Sequence, residues 1–335
     1  MEGMNFGSIF TRFLIVHYFL KLMKRLLAVI SLLLIGGAVW FVFFRPITVI
    51  REVRVPYSIW RVGEQVNNLG SIRHWFSPFT GEQMSVAADT GSGKLQSGEY
   101  SLALENRSVF SSVIRISRNK QSALVAYSAI SDSGAVRDSR IQLLYHSTLG
   151  KKWFGESELI KLARQNLENL RDYMTDTRRF YGYEIQEMKV EDTAFLFSRI
   201  TLPVANKRKG MVDLFSKLIA FAEKNNAGYN GTRIFYSMQS GNDITLFAGI
   251  GVTNAVQTAP ASEVEYKRMP YGKNMLVTSY QGPFGESSKA FEAMELFKTD
   301  HRLSSMAIPY QKFLSDGYDF ADDQIVQLKI FYPVF

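Results

Sequence analysis

Apolar positions follow three rhythms along the chain. From Leu26 to Phe44 they are unbroken, nineteen residues without a charge, bounded by Lys21, Lys24 and Arg25 on one side and by Arg45-Pro46 on the other. About twenty such residues cross a bilayer as a helix, so the run predicts one uncleaved anchor. The competing assignment is a secretory signal, but the run is long for one and ends in Phe-Phe-Arg-Pro instead of a small-residue cleavage site. From Ile47 the rhythm becomes a period of two, with Ile47, Val49, Val53 and Val55 suiting a strand. Pro56-Tyr-Ser-Ile-Trp60 then reads as the start of a short helix ending near Asn68-Leu-Gly70, since proline is favourable where a missing donor does no harm. Further strands are expected near 98–105, 109–117, 121–130 and 136–145, with Gly91-Ser-Gly93 as a flexible loop. A long helix from about Glu156 to Arg179 follows, with Leu159, Ala163, Leu167, Leu170 and Met174 on one face.

The third rhythm is a pattern that occurs twice, a strand, an amphipathic helix and two more strands. The first copy runs from Thr193-Ala-Phe-Leu-Phe-Ser-Arg-Ile200 through a helix around Met211 to Asn225, then Arg233 to Met238 and Asp243 to Val252. The second runs from Lys273 to Tyr280 through a helix around Glu286 to Lys298, then Tyr310 to Leu314 and Gln324 to Val334. Met211, Leu214, Phe215, Leu218 and Ala222 share one face of the first helix, as Ala290, Phe291, Met294 and Phe297 do in the second. Each stripe must be buried, and the partner at hand is the sheet formed by its own flanking strands. Internal duplication of this kind identifies a fold before any single residue can.

In the second copy Tyr280-Gln-Gly-Pro-Phe-Gly-Glu-Ser287 joins strand to helix, and Pro309-Tyr-Gln-Lys-Phe-Leu-Ser-Asp316 and Ile330-Phe-Tyr-Pro-Val334 follow. Residues 183–335 thereby resemble the GyrI-like, AraC effector-binding family (SOUL-type). Residues 47–180, through Trp60, the Leu69 to Trp75 stretch and Ser77-Pro78, resemble more loosely the SRPBCC or START-like polyketide cyclase fold, whose helix lies across a curved sheet. The alternative for that part is a generic α+β domain. The expected class is α+β: a basic segment 1–25, a transmembrane helix 26–44, a START-like helix-grip domain 47–180 and a duplicated GyrI-like domain 183–335.

The GyrI-like resemblance implies a small-molecule domain with an aromatic pocket between its two copies. By position the ligand-binding candidates are Phe235 and Tyr236 on the first copy's middle strand, with Tyr280, Gln311 and Phe313 on the second. Core packing is the even alternative for each, because aromatic side chains suit a pleated surface. Phe235 and Tyr236 face opposite ways, so only one is expected to point into the groove. Gln311 and Phe313 stand where the family places a Glu and a Tyr. A neutral amide there removes the charge complement of a cationic ligand, and the acid or phenol that a hydrolytic relative would use.

Charge modifies this picture. The chain has 335 residues, no Cys and a formal net charge of +8, with a pI near 9.4. Residues 1–61 carry eight Lys and Arg against two acids, leaving +2 for the remainder. The excess is therefore juxtamembrane, and no nucleic-acid partner is expected. Four Lys and Arg precede the apolar run and Arg45, Arg51, Arg54 and Arg61 follow it. A short basic N-terminus usually stays cytoplasmic, which places the bulk of the chain outside a bacterial inner membrane. Met23-Lys-Arg would make a conventional start, alongside Met1 and Met4, and Phe6 to Leu20 reads as an interfacial or untranslated segment. Thiolate metal sites and disulfides are excluded, and His17, His74, His146 and His301 have no ligand spacing. No metal or cofactor is implied. The function expected is non-catalytic binding of a hydrophobic or amphipathic small molecule by a single-pass membrane protein. The alternatives are a hydrolase or cyclase acting on a lipophilic substrate, through acids such as Glu184, Glu265 or Asp316, and an accessory protein that binds a protein partner.

Overall fold

A computed structural model describes residues 6–80, 93–132, 138–191, 193–259, 262–305 and 307–334. Met1, Met4, Gly91 and Ser92, the first residues of the strand expected at 136, and the tip of that loop lie outside the described residues. Helix α1 (Phe6–Phe44) runs without interruption through the segment expected to be interfacial, and leads into β1 (Pro46–Val55). Its stretch His17–Phe44 is long and apolar enough to cross a membrane and is not buried in the protein. At 1.5 Å per residue its 28 residues reach roughly 42 Å, the thickness of a bilayer with its interfacial regions.

Then come α2 (Ile59–Asn67), α3 (Leu69–Trp75), β2 (Lys94–Ser97), β3 (Tyr100–Ser108), β4 (Ser111–Arg118), β5 (Gln121–Ser131) and β6 (Ser139–Thr148). These are followed by α4 (Leu149–Phe154), α5 (Glu158–Thr175), α6 (Thr177–Tyr181), β7 (Gln186–Lys189), β8 (Ala194–Pro203) and α7 (Lys207–Lys224). The chain closes with β9 (Tyr229–Ser240), β10 (Asp243–Val252), β11 (Glu265–Arg268), β12 (Asn274–Pro283), α8 (Ser288–Asp300), β13 (Tyr310–Phe313) and β14 (Ile325–Val334). The class is α+β, with an N-terminal apolar helix and antiparallel sheets.

Three boundaries differ from the sequence expectation, each through a cap. Pro56 lies ahead of the helix it was expected to open. The first turn is held by Ser58, whose Oγ accepts from the Arg61 N–H at 3.3 Å, and hydroxyl caps satisfy donors that a proline merely lacks. The single helix expected there is two, because Asn68 caps α3 by accepting from the Gly70 N–H at 2.8 Å. The long helix expected to Arg179 stops at Thr175, and Asp176 starts α6 by accepting from the N–H groups of Arg178 and Arg179.

Two compact units result: Met1–Val53, Val66–Ser128 and Ile141–Leu167 form the first, and Arg54–Gln65, Ala129–Arg140 and Glu168–Phe335 the second. A six-stranded sheet of order β1-β6-β5-β4-β3-β2 supplies the first unit's core. Trp75, Phe76, Phe79 and Tyr127 fill its apolar face, all essentially buried. Tyr127 donates to the Ala163 carbonyl of α5 at 2.7 Å. Asn166, also on α5, accepts from the Ser77 N–H at 2.7 Å and donates to the Ser77 carbonyl at 2.9 Å. That fixes the Trp75-Phe-Ser-Pro78 turn by satisfying a buried backbone pair.

In the second unit the duplication is explicit: β8-α7-β9-β10 and β12-α8-β13-β14 repeat one order of elements. They share an eight-stranded sheet, β11-β8-β10-β9-β13-β14-β12-β7. The middle strands of the two copies, β9 and β13, meet at the centre, with Phe235 opposite Gln311. Helix α7 buries the predicted stripe Met211, Leu214, Phe215, Leu218 and Ala222.

The second unit also contains a half-buried charged cluster. Asp300, at the end of α8, accepts from the Tyr181 hydroxyl at 2.8 Å and lies 3.1 Å from Arg61 Nε. Arg61 in turn bonds Glu64 at 2.8 Å and rests over the Phe180 ring, 4.9 Å from its centre. Burial pushes the Asp300 carboxyl above its ordinary range, outweighing the pull of Arg61 and of the Tyr181 hydroxyl.

Candidate functional site

Strand register sorts the five candidate residues. Gln311 faces Phe235 and Ile330, while Phe313 and Tyr280 both face Leu328. Opposed residues of an antiparallel pair project to the same side, so Phe235, Tyr280, Gln311 and Phe313 share one face, and Tyr236 lies on the other. Phe215 of α7 packs on this face against Phe235 and Phe313, and around Phe313 the face is filled. Phe313 packs against Phe215, Phe235, Phe284 and Phe320 at ring separations of 5.1 to 6.4 Å. Tyr280 is also buried and donates locally to the Pro283 carbonyl at 2.6 Å.

Gln311 is 3% exposed, and its Oε1 accepts no hydrogen bond. A buried acceptor without a donor is unfavourable by about 1–3 kcal/mol. Gln311→Met, which keeps the volume and removes the amide, is expected to raise stability by about 1 kcal/mol. A urea midpoint shift at unchanged slope would measure it, and a loss of stability would show that the amide has a partner.

Beside this aromatic cluster the second unit holds a cavity of about 870 Å³, bordered by β8, β9, β10, α7 and the segments around 262–275 and 307–310. Phe235 and Tyr236 both border it, whereas Tyr280, Gln311 and Phe313 are not among its lining residues. Its walls include Phe197, Tyr236 and Phe247. Tyr236 lies 6.2 Å from Phe247 and 5.6 Å, edge-on, from Phe291 of α8. Gly249, opposite both Phe197 and Ile234, makes this wall possible. A Cβ there would stand 2.8 Å from the Phe197 ring and 2.9 Å from Ile234, so any side chain would displace the ring. Sequence reading missed Phe197, Phe247 and Gly249. The available signal was Ala248-Gly-Ile-Gly251, because glycine inside a strand marks a close approach.

The lining carries five basic side chains, Arg199, Lys217, Lys267, Arg268 and Lys273, against Asp213, Glu263 and Glu265. Lys217 pairs with Glu263, and Lys267 with Glu265 at 2.6 Å. Those lysines hold both carboxyls below the ordinary range, so they are ionised at neutral pH and unsuited to act as general acids. Of the other acids considered from sequence, Glu184 accepts from the Gln186 amide at 2.7 Å, and the Asp316 side chain is fully exposed. Among the described residues no cluster of His, Asp and Glu could hold a metal.

No family model matches the chain, and no curated protein does. Solved structures with a similar trace include a chain of the EcmrR–DNA complex, at TM-score 0.36 and 10% identity over 55% of this chain and 74% of that one. A hydrolase from Listeria innocua gives 0.32 and 13% over 45% and 91%. SAV2435 bound to tetraphenylphosphonium gives 0.30 and 11% over 45% and 94%.

Proposed function

We propose that this chain is a membrane-anchored, non-catalytic binding protein for a hydrophobic or amphipathic small molecule, held by α1 with its two units on the extracytoplasmic side of a bacterial inner membrane. The observation that carries the reading is the aromatic-walled cavity of about 870 Å³, a size and lining typical of small-molecule sites. Its two glutamates are each matched by a lysine, and the basic excess of the lining favours a neutral or anionic ligand over a cation.

The probe is 8-anilinonaphthalene-1-sulfonate, titrated onto the full chain in lipid nanodiscs with empty nanodiscs subtracted. Tyr236→Ala is expected to weaken its binding about five- to tenfold, the worth of one aromatic contact. Gly249→Leu should abolish it by occupying the wall. Unchanged affinity in both variants would remove the cavity from consideration and favour a protein partner instead.

A further inference from the structure

Helix α4 is six residues long, Leu149-Gly-Lys-Lys-Trp-Phe154, and buries none of them. Trp153 is 64% and Phe154 81% exposed, an unusual use of the two most costly side chains to leave in water. The fold holds this helix against the end of α1. The chain leaves α1 into β1, the sheet neighbour of β6, and β6 ends where α4 begins. Thr148 caps α4 by accepting from the Lys151 N–H. Gly150 allows close approach, since a Cβ there would lie 3.0 Å from the Phe43 carbonyl and 3.2 Å from its ring. Trp153 stands edge-on to Phe43 at 5.9 Å, and Phe154 tilts over it at 5.5 Å. Gly155, at φ 131°, ends the helix.

The same level of α1 carries Trp40, Phe41 and Phe44, all exposed, with Arg45 over the Phe41 ring. Aromatic side chains interleaved with Arg45, Lys151 and Lys152 form the composition of a membrane–water interface. We infer that α4 is a second membrane contact, lying in the interface beside the end of the span with Trp153 and Phe154 in the acyl boundary and Lys151 and Lys152 among anionic headgroups. The inference rests on α1 being a span. Each lysine near an anionic surface strengthens attachment about fivefold, and two contacts at different points restrict how the first unit tilts on the bilayer.

The chain has no Cys, so single substitutions accept one nitroxide each. Trp153→Cys, Phe154→Cys, Val39→Cys in the span and Val109→Cys at the exposed β3–β4 turn are placed in the full chain. Each is reconstituted in phosphatidylcholine–phosphatidylglycerol vesicles and probed by spin-label collision with oxygen and with a water-soluble nickel chelate. The expected result at 153 and 154 is high oxygen and severalfold lower nickel accessibility than at Val109, as at Val39. Nickel accessibility equal to Val109, with Val39 still shielded, overturns the second contact and leaves the span standing. Shielding from both agents at 153 and 154, the mark of protein packing, overturns it too. Nickel access at Val39 would sink the span and the inference together.

Discussion

Replacing Phe313 with alanine is expected to lower the stability of the second unit by about 3–5 kcal/mol, while probe binding in the adjoining cavity is retained. Phe313 is 4% exposed, and its ring is held between Phe215, Phe235, Phe284 and Phe320. These four rings come from one helix, one strand and two connections, so truncation leaves a gap that no single element can close by shifting. Close-packed interiors relax only partly around such a loss. Urea denaturation followed by near-ultraviolet dichroism gives the midpoint, and probe titration of the same sample gives the affinity. Tyr236→Ala should show the converse, a small stability change with weakened binding. If Phe313→Ala instead abolishes binding while stability is preserved, the aromatic cluster is the site and the cavity is not.

The second large effect is expected at Asp300, where alanine should cost about 3 kcal/mol. Its carboxylate accepts from the buried Tyr181 hydroxyl and faces Arg61. Without it the phenol loses its acceptor and the guanidinium keeps only Glu64, whose side chain is 63% exposed. Asp300→Asn retains an acceptor for Tyr181 and should cost less than half as much. pH separates the two contributions of the carboxylate. Its folded pKa is raised above the ordinary value of 3.8, so the folded state holds the proton more tightly than the unfolded one. The stability this group contributes is thus complete below about 3.8 and is lost as pH rises through the folded value. Relative to Asp300→Asn, the native chain should gain stability on acidification through that window. A difference that shrinks instead would mean that the carboxylate is better stabilised folded than unfolded.

Much of this architecture is legible in residue order because it rests on local periodicity. The stripe of α7, the uncharged run within α1 and the strand–helix–strand–strand repeat are properties of neighbouring positions, and geometry with periods of 3.6 and 2 turns them into faces. Caps defeated the boundaries at Ser58, Asn68 and Asp176. There a single side chain bonds the backbone two or three positions on, and such a contact leaves no trace in hydrophobic pattern.

What the sequence determined by itself is the α+β class, the apolar helix and the duplication. Only the tertiary structure decided which of the five candidate side chains border an open space, Phe235 and Tyr236. Phe235 and Gln311 are 76 positions apart, yet face each other across β9 and β13. Phe235 and Phe313 then pack with Phe215 of α7 and with Phe284, and of the candidates on that face only Phe235 also borders the cavity. The cavity opens beside them because Gly249 leaves room for the Phe197 ring across the strand pair. Whether an aromatic side chain lines a space or fills it depends on what stands opposite in three dimensions, and cross-strand register and helix placement are set by contacts far apart in the chain.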